Sequence, residues 1–182
     1  GDNRLGSVGI PVPGLEVRIV NEEDVEVPMG SPGELLFKGP TIMKGYFGRP
    51  EATAEALKDG WLYSGDIAVM DEDGFLEIVD RKKDMILVSG FNVSPNEVED
   101  VIAKIDGVVE VGVIGIPDER SSEVPMAFIV KNNAALTEEA VIAHCHEGLT
   151  NYKVPKRIQF VDDIPKSPVG KVLRRELRDL VT

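Results

Sequence analysis

Four short segments carry charged or hydroxyl side chains that suit ligand binding, three of them together with aromatic residues, glycine or proline. They are Trp61–Asp66, Asp80–Asp84, Ser89–Asn92 and Lys166–Lys171. The Asp66 carboxylate follows a Ser-Gly pair, so it could accept hydrogen bonds from two neighbouring hydroxyl groups of a ligand. The same spacing is equally typical of an aspartate that only accepts bonds from the amides of its own turn.

Two cations in these segments are candidates for anion binding. Arg81 offers five N–H donors for a ribose or a phosphate, although a surface ion pair would use them equally well. Lys171 follows Gly170 on a loop rich in proline and glycine, from which its ammonium could reach a distant anion. That loop is not a P-loop, because Pro165 stands at the first glycine position and Val172 at the Ser/Thr position.

The one cysteine of the chain lies between two histidines but does not predict a metal site. Consecutive helical residues point about 100° apart, so His144, Cys145 and His146 cannot chelate one ion together. Cys145 stands four residues after Val141 and four before Leu149, which predicts a buried structural thiol. A single cysteine also excludes an internal disulfide and is typical of a reducing compartment.

Composition limits the classes of protein to consider. The chain has 182 residues, with 20 Lys+Arg against 32 Asp+Glu and a net charge of −12, which argues against a general nucleic-acid binder. Residues 153–178 nevertheless contain eight basic and three acidic side chains. This asymmetry indicates either a solvated helix face or a local attraction for a phosphate-bearing ligand. No signal peptide or membrane span is predicted, and the start at Gly1 without methionine suggests a piece of a larger protein.

Hydrophobic periodicity predicts the elements that must position these residues. Before residue 81 the pattern is β-rich, with strands at Leu15–Val20 and Gly33–Gly39, a helix at Pro50–Lys58 and a hairpin turn at Asp71–Gly74.

After residue 81 short strands alternate with helices. The predicted strands are Met85–Val88, Val108–Ile116, Met126–Val130 and Arg157–Val161. A capping box at Ser94–Glu97 begins a helix that Gly107 ends, and Thr137 caps another, with Leu136 stapled against Val141. The last helix should bury Leu173, Leu177 and Leu180 and point Arg174, Arg175 and Arg178 away from the core.

Five stretches occur in order along the chain: GELLFKGPTIMKGYFGRPEAT, DGWLYSGDIAVMDEDGFLEIVDRKKD, MILVSGFNVSPNEVEDVI, YKVPKRIQF and PKSPVGKVLRREL. Together they resemble the C-terminal portion of adenylate-forming acyl-CoA synthetases, the AMP-binding enzyme superfamily. Within it the chain is most similar to bacterial long-chain fatty-acid–CoA ligases. The resemblance implies an α+β fold, in which residues 1–82 are the β-rich end of a large domain and residues 83–182 are a small mobile lid.

The resemblance also implies an activity in two half-reactions. A carboxylate and ATP give acyl-AMP and pyrophosphate, and the thiol of CoA then displaces AMP. By resemblance, Asp66 holds the ribose hydroxyls, Arg81 binds the ribose and phosphate side, and Lys83 is the hinge of the lid. Lys171 is the catalytic lysine between the carboxylate and the α-phosphate, and Ser89 and Gly90 lie on a short strand that approaches CoA. Leu87 stands where some relatives carry a lysine for the second step, so no cation is assigned there.

The implied substrates are a fatty acid, ATP or AMP, and CoA, without nucleic acid. Mg²⁺ is expected with ATP, but with ligands outside this chain. The chain alone is expected to be inactive, because the phosphate loop and acyl tunnel of the family lie upstream, and its first part is expected to be less ordered than its second. The expected location is the cytoplasm, and this is compatible with peripheral contact at the inner face of the membrane. The sequence predicts no oligomeric state.

Two alternatives remain open from sequence. The first is another branch of the same superfamily, an aryl-CoA ligase or a peptide-synthetase adenylation domain. The second is a non-catalytic binding module, which would use the basic C-terminal helix to meet nucleic acid or an anionic membrane.

Overall fold

Antiparallel strands dominate the first half of the chain. A computed structural model describes residues 4–181, in which the chain divides into one unit up to Lys83 and another from Asp84. The elements of the first unit are β1 (Ser7–Gly9), β2 (Glu16–Val20), β3 (Gly33–Lys38), α1 (Pro50–Ala56), β4 (Leu57–Lys58), β5 (Trp61–Met70) and β6 (Leu76–Arg81). The strands form one sheet in the order β1-β6-β5-β3-β2, with β4 paired to β5.

A tight hairpin turn joins β5 to β6. As predicted, residues 71–74 form its turn: the Asp71 carboxylate accepts bonds from the amides of Asp73 (3.0 Å) and Phe75 (2.9 Å). Gly74 adopts the positive φ of 84° that the turn requires. The bonds from these amides, first that of Phe75, hold the pKa of the Asp71 carboxyl below its usual value. The turn sets the pairing from Met70 and Leu76 to Ala68 and Ile78, and a register shift beyond it brings Asp66 opposite Arg81.

The second unit is an α+β layer structure. Its elements are β7 (Ile86–Val88), β8 (Phe91–Val93), α2 (Pro95–Ile102), β9 (Val108–Asp118), β10 (Ser122–Lys131), α3 (Glu138–Gly148), β11 (Arg157–Phe160) and α4 (Arg174–Arg178). Its sheet runs β11-β10-β7-β8, and β9 pairs along the length of β10. Only β10 and β11 are parallel among the described pairs.

Alternating residues of β9 and β10 build two hydrophobic clusters on opposite faces of this sheet. On one face Val113 and Ala127 pack with residues of α2 and α3. On the other face Ile114 and Phe128 pack with Leu177 of α4. The sheet is thus covered by helices on both faces, and α4 is the element that follows the Lys166–Lys171 loop.

The predicted helix starts are confirmed. The Ser94 hydroxyl accepts a bond from the Glu97 amide at 3.4 Å, and the Thr137 hydroxyl accepts one from the Ala140 amide at 3.3 Å. The Glu97 side chain, expected to complete the capping box, accepts both of its bonds from Lys153 Nζ, at 2.6 and 2.7 Å. An ion pair thus holds this carboxylate in place of the expected cap contact.

Two helices end earlier than predicted. Helix α2 stops at Ile102 rather than at Gly107, because the Lys104 and Ile105 amides bond carbonyls three residues back and the chain turns toward β9. Helix α1 stops at Ala56, because Leu57 and Lys58 pair with β5 instead. Strands β1 and β8 were not predicted from the sequence.

The last helix is shorter than its predicted hydrophobic stripe. Leu177 is fully buried, but Leu180 lies beyond the end of α4 and is 44% exposed. Only the middle of the three leucines is therefore a full core residue.

The prediction that all three arginines of this helix point away from the core is wrong for Arg174. Its side chain is only 12% exposed and contacts Asn96 and Glu99. Arg175 and Arg178 are exposed as expected. Arg174 turns inward because the Glu99 carboxylate and the Val113 carbonyl lie within its reach. A local sequence pattern cannot predict these contacts.

Among residues 4–181, no helix is long and apolar enough to cross a membrane.

Candidate functional site

Asp66 and Arg81 meet on neighbouring strands. They stand directly opposite each other in β5 and β6, and Arg81 Nε lies 3.0 Å from Asp66 Oδ1. The Ser64 hydroxyl fixes the local backbone: it donates to the Leu35 carbonyl at 2.7 Å and accepts from the Asp66 amide at 3.0 Å. Gly65, between them, takes a φ of 71°, which favours glycine.

This pair is accessible to a ligand. The Asp66 side chain is 29% exposed and the Arg81 side chain 51%. An ionised carboxylate has about four lone-pair sites, so one bond to a guanidinium leaves acceptors for two hydroxyl groups. The arrangement can bind a diol beside a phosphate, and it also fulfils the simpler expectation of a surface ion pair for Arg81.

A buried charged cluster beside Arg81 was missed from sequence. The Lys82 ammonium donates to Glu34 Oε2 at 2.7 Å, and the Glu34 side chain is only 8% exposed. Asp80 is 3% exposed, and its carboxylate accepts the Arg81 amide at 2.8 Å. The available signal was the glutamate within the apolar run of β3. These contacts fix the backbone on which Arg81 stands.

Lys83 lies at the boundary of the two units, where a hinge is predicted. It is exposed, in the middle of a 3₁₀ turn at Lys82–Asp84. On the side of the second unit, Asp84 Oδ1 lies 3.6 Å from Arg178 Nη2 of α4.

Ser89 and Gly90 form a turn and not a strand, which corrects the prediction for these two residues. They connect β7 to β8 with φ values of 52° and 86°. Two successive positive φ angles are the signature of a tight hairpin turn, so the strand pattern is interrupted here. The Ser89 amide donates to the Ser121 carbonyl at 2.7 Å, and Leu87 is 42% exposed.

Lys171 is exposed on a hairpin-like loop of the second unit. The Ser167 amide donates to the Lys171 carbonyl at 2.8 Å, and the Lys171 amide donates to the Ser167 hydroxyl at 3.1 Å. The loop is therefore closed by its own hydrogen bonds, although its sequence is typical of a mobile segment.

Of the predicted site residues, the structure thus pairs Asp66 with Arg81. Lys83, the Ser89–Gly90 turn and Lys171 lie on separate turns and loops.

Cys145 is buried, as predicted. Its side chain is fully inaccessible, and burial raises the pKa of the thiol to about 11. Within residues 4–181, no three His, Cys, Asp or Glu side chains are placed to hold a metal ion.

Two family models match the chain. The model for AMP-binding enzymes matches residues 1–47, and the model for the AMP-binding enzyme C-terminal domain matches residues 97–171.

Similar curated proteins align with nearly the whole chain. The long-chain-fatty-acid–CoA ligase of Escherichia coli O6:H1 is 58% identical over 178 residues, which are 98% of this chain and 32% of that protein. The ligase of the same name from Yersinia pestis is 59% identical over 96% of this chain and 31% of its own length. The 2-succinylbenzoate–CoA ligase of Bacillus mycoides is 44% identical over 98% of this chain. The chain spans about a third of the length of these relatives.

Solved structures show the same fold. ATP-bound MatB from Rhodopseudomonas palustris has a TM-score of 0.91 at 37% identity, covering 99% of this chain and 36% of that one. A fatty acyl CoA synthetase from Mycobacterium tuberculosis has a TM-score of 0.68 at 39% identity, covering 98% and 35%. With two family models matching separate parts of it and relatives aligned along nearly all of it, the chain belongs to the AMP-binding enzyme family.

Proposed function

We propose that the intact protein is a long-chain fatty-acid–CoA ligase, of which this chain is the C-terminal part. The intact enzyme activates a fatty acid with ATP to acyl-AMP and then transfers the acyl group to CoA. The observation that carries this proposal is the 58% identity to long-chain-fatty-acid–CoA ligases, against 44% for a ligase of a different acid. The chain alone is inactive, since it has only part of the proposed site.

In this function Asp66 and Arg81 bind the nucleotide. The Asp66 carboxylate accepts bonds from the two ribose hydroxyls, while the Arg81 guanidinium holds the carboxylate in place and faces the phosphate side. Arginine suits this task because it stays charged at any working pH. The 3.0 Å ion pair between the two side chains supports this division of roles.

Lys171 supplies the positive charge for the first half-reaction. The transition state gathers negative charge between the carboxylate and the α-phosphate. An ammonium at about 4 Å, with an effective dielectric constant near 20, contributes on the order of 4 kcal/mol. That corresponds to roughly three orders of magnitude in rate.

Lys83 is the hinge between the two half-reactions. Residues 83–182 turn about it as the lid domain, against residues 1–82, the end of the large domain. The turn withdraws Lys171 after adenylation so that CoA can enter, which is gating by domain motion. The exposed position of Lys83 in the 3₁₀ turn supports this role.

The Ser89–Gly90 turn lies on the CoA side in the second half-reaction. A Cβ placed on Gly90 would meet nothing within 4 Å, so this backbone is open to a ligand. Leu87 carries no charge, and the turn contributes backbone groups rather than a cation. Mg²⁺ accompanies ATP, with ligands outside this chain.

The intact enzyme works in the cytoplasm, with peripheral contact at the inner face of the membrane. A long-chain fatty acid partitions into lipid, so a ligase at the membrane surface encounters a higher concentration of its substrate.

Pyrophosphate release by the intact protein tests the substrate class. With ATP and CoA, palmitate should support turnover far better than coumarate or any amino acid. Turnover with coumarate or an amino acid that exceeds turnover with palmitate would instead indicate an aryl-CoA ligase or an adenylation domain of a peptide synthetase.

A further inference from the structure

The loop that carries Lys171 is a closed unit whose direction is determined at its base. The Leu173 amide donates to the Pro165 carbonyl at 2.8 Å, and Lys166 forms a β-bridge with Val172. Together with the bonds between the backbone at Lys171 and Ser167, these contacts make the loop move as one body. Its orientation therefore depends on what holds the residues on either side of the base.

Arg174 holds one side of that base. It is the first residue after Leu173, and its guanidinium makes four hydrogen bonds within the second unit. Nε donates to the Val113 carbonyl at 3.2 Å, and Nη2 lies 2.6 Å from Asn96 Oδ1 and 2.9 and 3.0 Å from the two oxygens of Glu99.

Glu99 bonds both Arg174 and Val113, so these three residues form a closed hydrogen-bonded ring. Its Oε1 also accepts the Val113 amide at 2.8 Å, so both backbone polar groups of Val113 are bonded by this pair of side chains. The Arg174 and Glu99 side chains are 12% and 15% exposed, so solvent screens their attraction only weakly. The base of the loop is thereby tied to both α2 and β9.

On the other side of the base Ile164 is buried, but the ion pair is weaker. Lys166 pairs with Glu110, but these side chains are 35% and 33% exposed, and exposed single pairs contribute little. The contacts of Arg174 are more buried, more numerous and formed by a planar group that several acceptors can fix at once. Arg174 therefore provides the stronger of the two ion-pair contacts at the base, beside the buried side chains of Ile164 and Leu177.

We propose that Arg174 is a positioning residue for Lys171, acting through its bonds to Glu99, Asn96 and Val113. This rests on the proposed function, in which Lys171 serves the adenylation half-reaction. Arg174 touches no substrate; it fixes the direction in which the loop presents the ammonium.

Paired half-reactions of the intact enzyme test this role. Arg174→Gln should lower kcat for palmitate-dependent ATP–pyrophosphate exchange about 10- to 100-fold, because displacing a reacting group by about an ångström costs on that order. Thioester formation from supplied palmitoyl-AMP should stay within about twofold, since Lys171 has no part in that step. Arg175→Gln, which removes the same charge from the exposed neighbour, should leave both half-reactions unchanged, and Arg174→Lys should fall between Arg174→Gln and the wild type.

Asn96→Ala provides a second test if Arg174→Gln unfolds. It removes one partner of the guanidinium and should lower pyrophosphate exchange about 3- to 10-fold, again with thioester formation spared. A loss shared equally by the two half-reactions in either variant would overturn the proposal, because it would show general damage to the unit.

Lys171→Ala separates this proposal from the proposed function. If it abolishes exchange while Arg174→Gln behaves like Arg175→Gln, the assignment of Arg174 alone is wrong. If it leaves exchange intact, the role of Lys171 is wrong, and Arg174 has no lysine to position.

Discussion

At the residue scale, the Asp66–Arg81 ion pair should contribute little to folding stability, and we propose that it serves nucleotide binding. Both side chains are partly exposed, and ion pairs of this kind typically stabilise a fold by no more than about 1 kcal/mol. Its placement across β5 and β6 is the one that the proposed nucleotide role requires.

Asp66→Ala should therefore weaken nucleotide binding without unfolding the protein. In the intact enzyme we expect the Kd for ATP to rise about 10-fold or more, because two hydrogen bonds to a charged acceptor are lost. The midpoint of thermal unfolding should shift little. Calorimetric titration with ATP measures the first effect.

Glu77→Gln is the matched control, since it removes an exposed carboxylate from the same pair of strands. Its ATP affinity should equal that of the wild type. An Asp66→Ala protein with unchanged affinity would contradict the nucleotide role of Asp66.

Cys145 should make folding stability depend on pH in the alkaline range. The folded thiol has a pKa of about 11, whereas an unfolded thiol ionises near 9. Since the folded pKa is the higher one, the stabilisation is fully present below about pH 9 and is lost as the pH rises toward 11. The loss should be on the order of 2 kcal/mol.

Urea unfolding of the chain between pH 8 and 10.5 measures this, with Cys145→Ala as reference. The stability difference between wild type and variant should shrink as the pH rises. A constant difference would show that the thiol does not titrate as its burial implies. At pH 8 the native thiol should also resist disulfide reagents, because its thiolate fraction is very small.

At the element scale, local signals predicted the starts of helices and the course of most strands. The Ser94 and Thr137 hydroxyls cap their helices by accepting hydrogen bonds from the backbone amides three residues further along the chain. These caps could therefore be predicted without knowledge of any distant partner. Alternation along β2 and the turn at Asp71 were likewise sufficient by themselves.

Features that depend on distant partners could not be predicted. The burial of Arg174 requires Glu99 and Val113, which lie more than sixty residues away in sequence. The burial of Glu34 requires Lys82, which lies in the 3₁₀ turn after β6 and closes the ion pair from 48 residues away in sequence. The roles of Lys83 and Lys171 came from resemblance, since no local rule distinguishes them from other exposed lysines.

Helix α4 should depend on one leucine of its predicted stripe. Leu177 is fully buried, against Ile114, Phe128 and Ile164, so Leu177→Ala should lower the free energy of unfolding of the second unit by about 2–5 kcal/mol. Leu180→Ala, at a site 44% exposed, should cost less than about 1 kcal/mol. Denaturant unfolding of the two variants measures the difference, and equal losses would show that α4 is not anchored as described.

At the scale of the whole molecule, the two units have unequal cores. In the described residues the first unit has one cluster of four buried apolar side chains, whereas the second has clusters of fourteen and seven. Burial of apolar surface is the main stabilising term in folding. The first unit should therefore be the less stable of the two in this chain.

Native-state hydrogen exchange tests this inequality. Amides in residues 85–181 should exchange more slowly than those in residues 15–80, because opening the larger core costs more free energy. Faster exchange in the second unit would contradict the expectation.

Fewer basic side chains are available to bind an anionic partner than the count in the sequence indicates. Of the basic residues near the C-terminus, Arg174 is bound to Glu99, Lys153 to Glu97 and Lys166 to Glu110. A positive face for nucleic acid or an anionic membrane is therefore smaller than the count of basic residues indicates. Lys171 is exposed, as its proposed role in the first half-reaction requires.

We propose that Lys171 serves the first half-reaction and not the second. The most direct measurement is both half-reactions of the intact enzyme with Lys171→Ala, palmitate-dependent pyrophosphate exchange and thioester formation from supplied palmitoyl-AMP. Exchange should fall by about three orders of magnitude, while thioester formation should continue near the wild-type rate. Exchange near the wild-type rate would contradict this proposal.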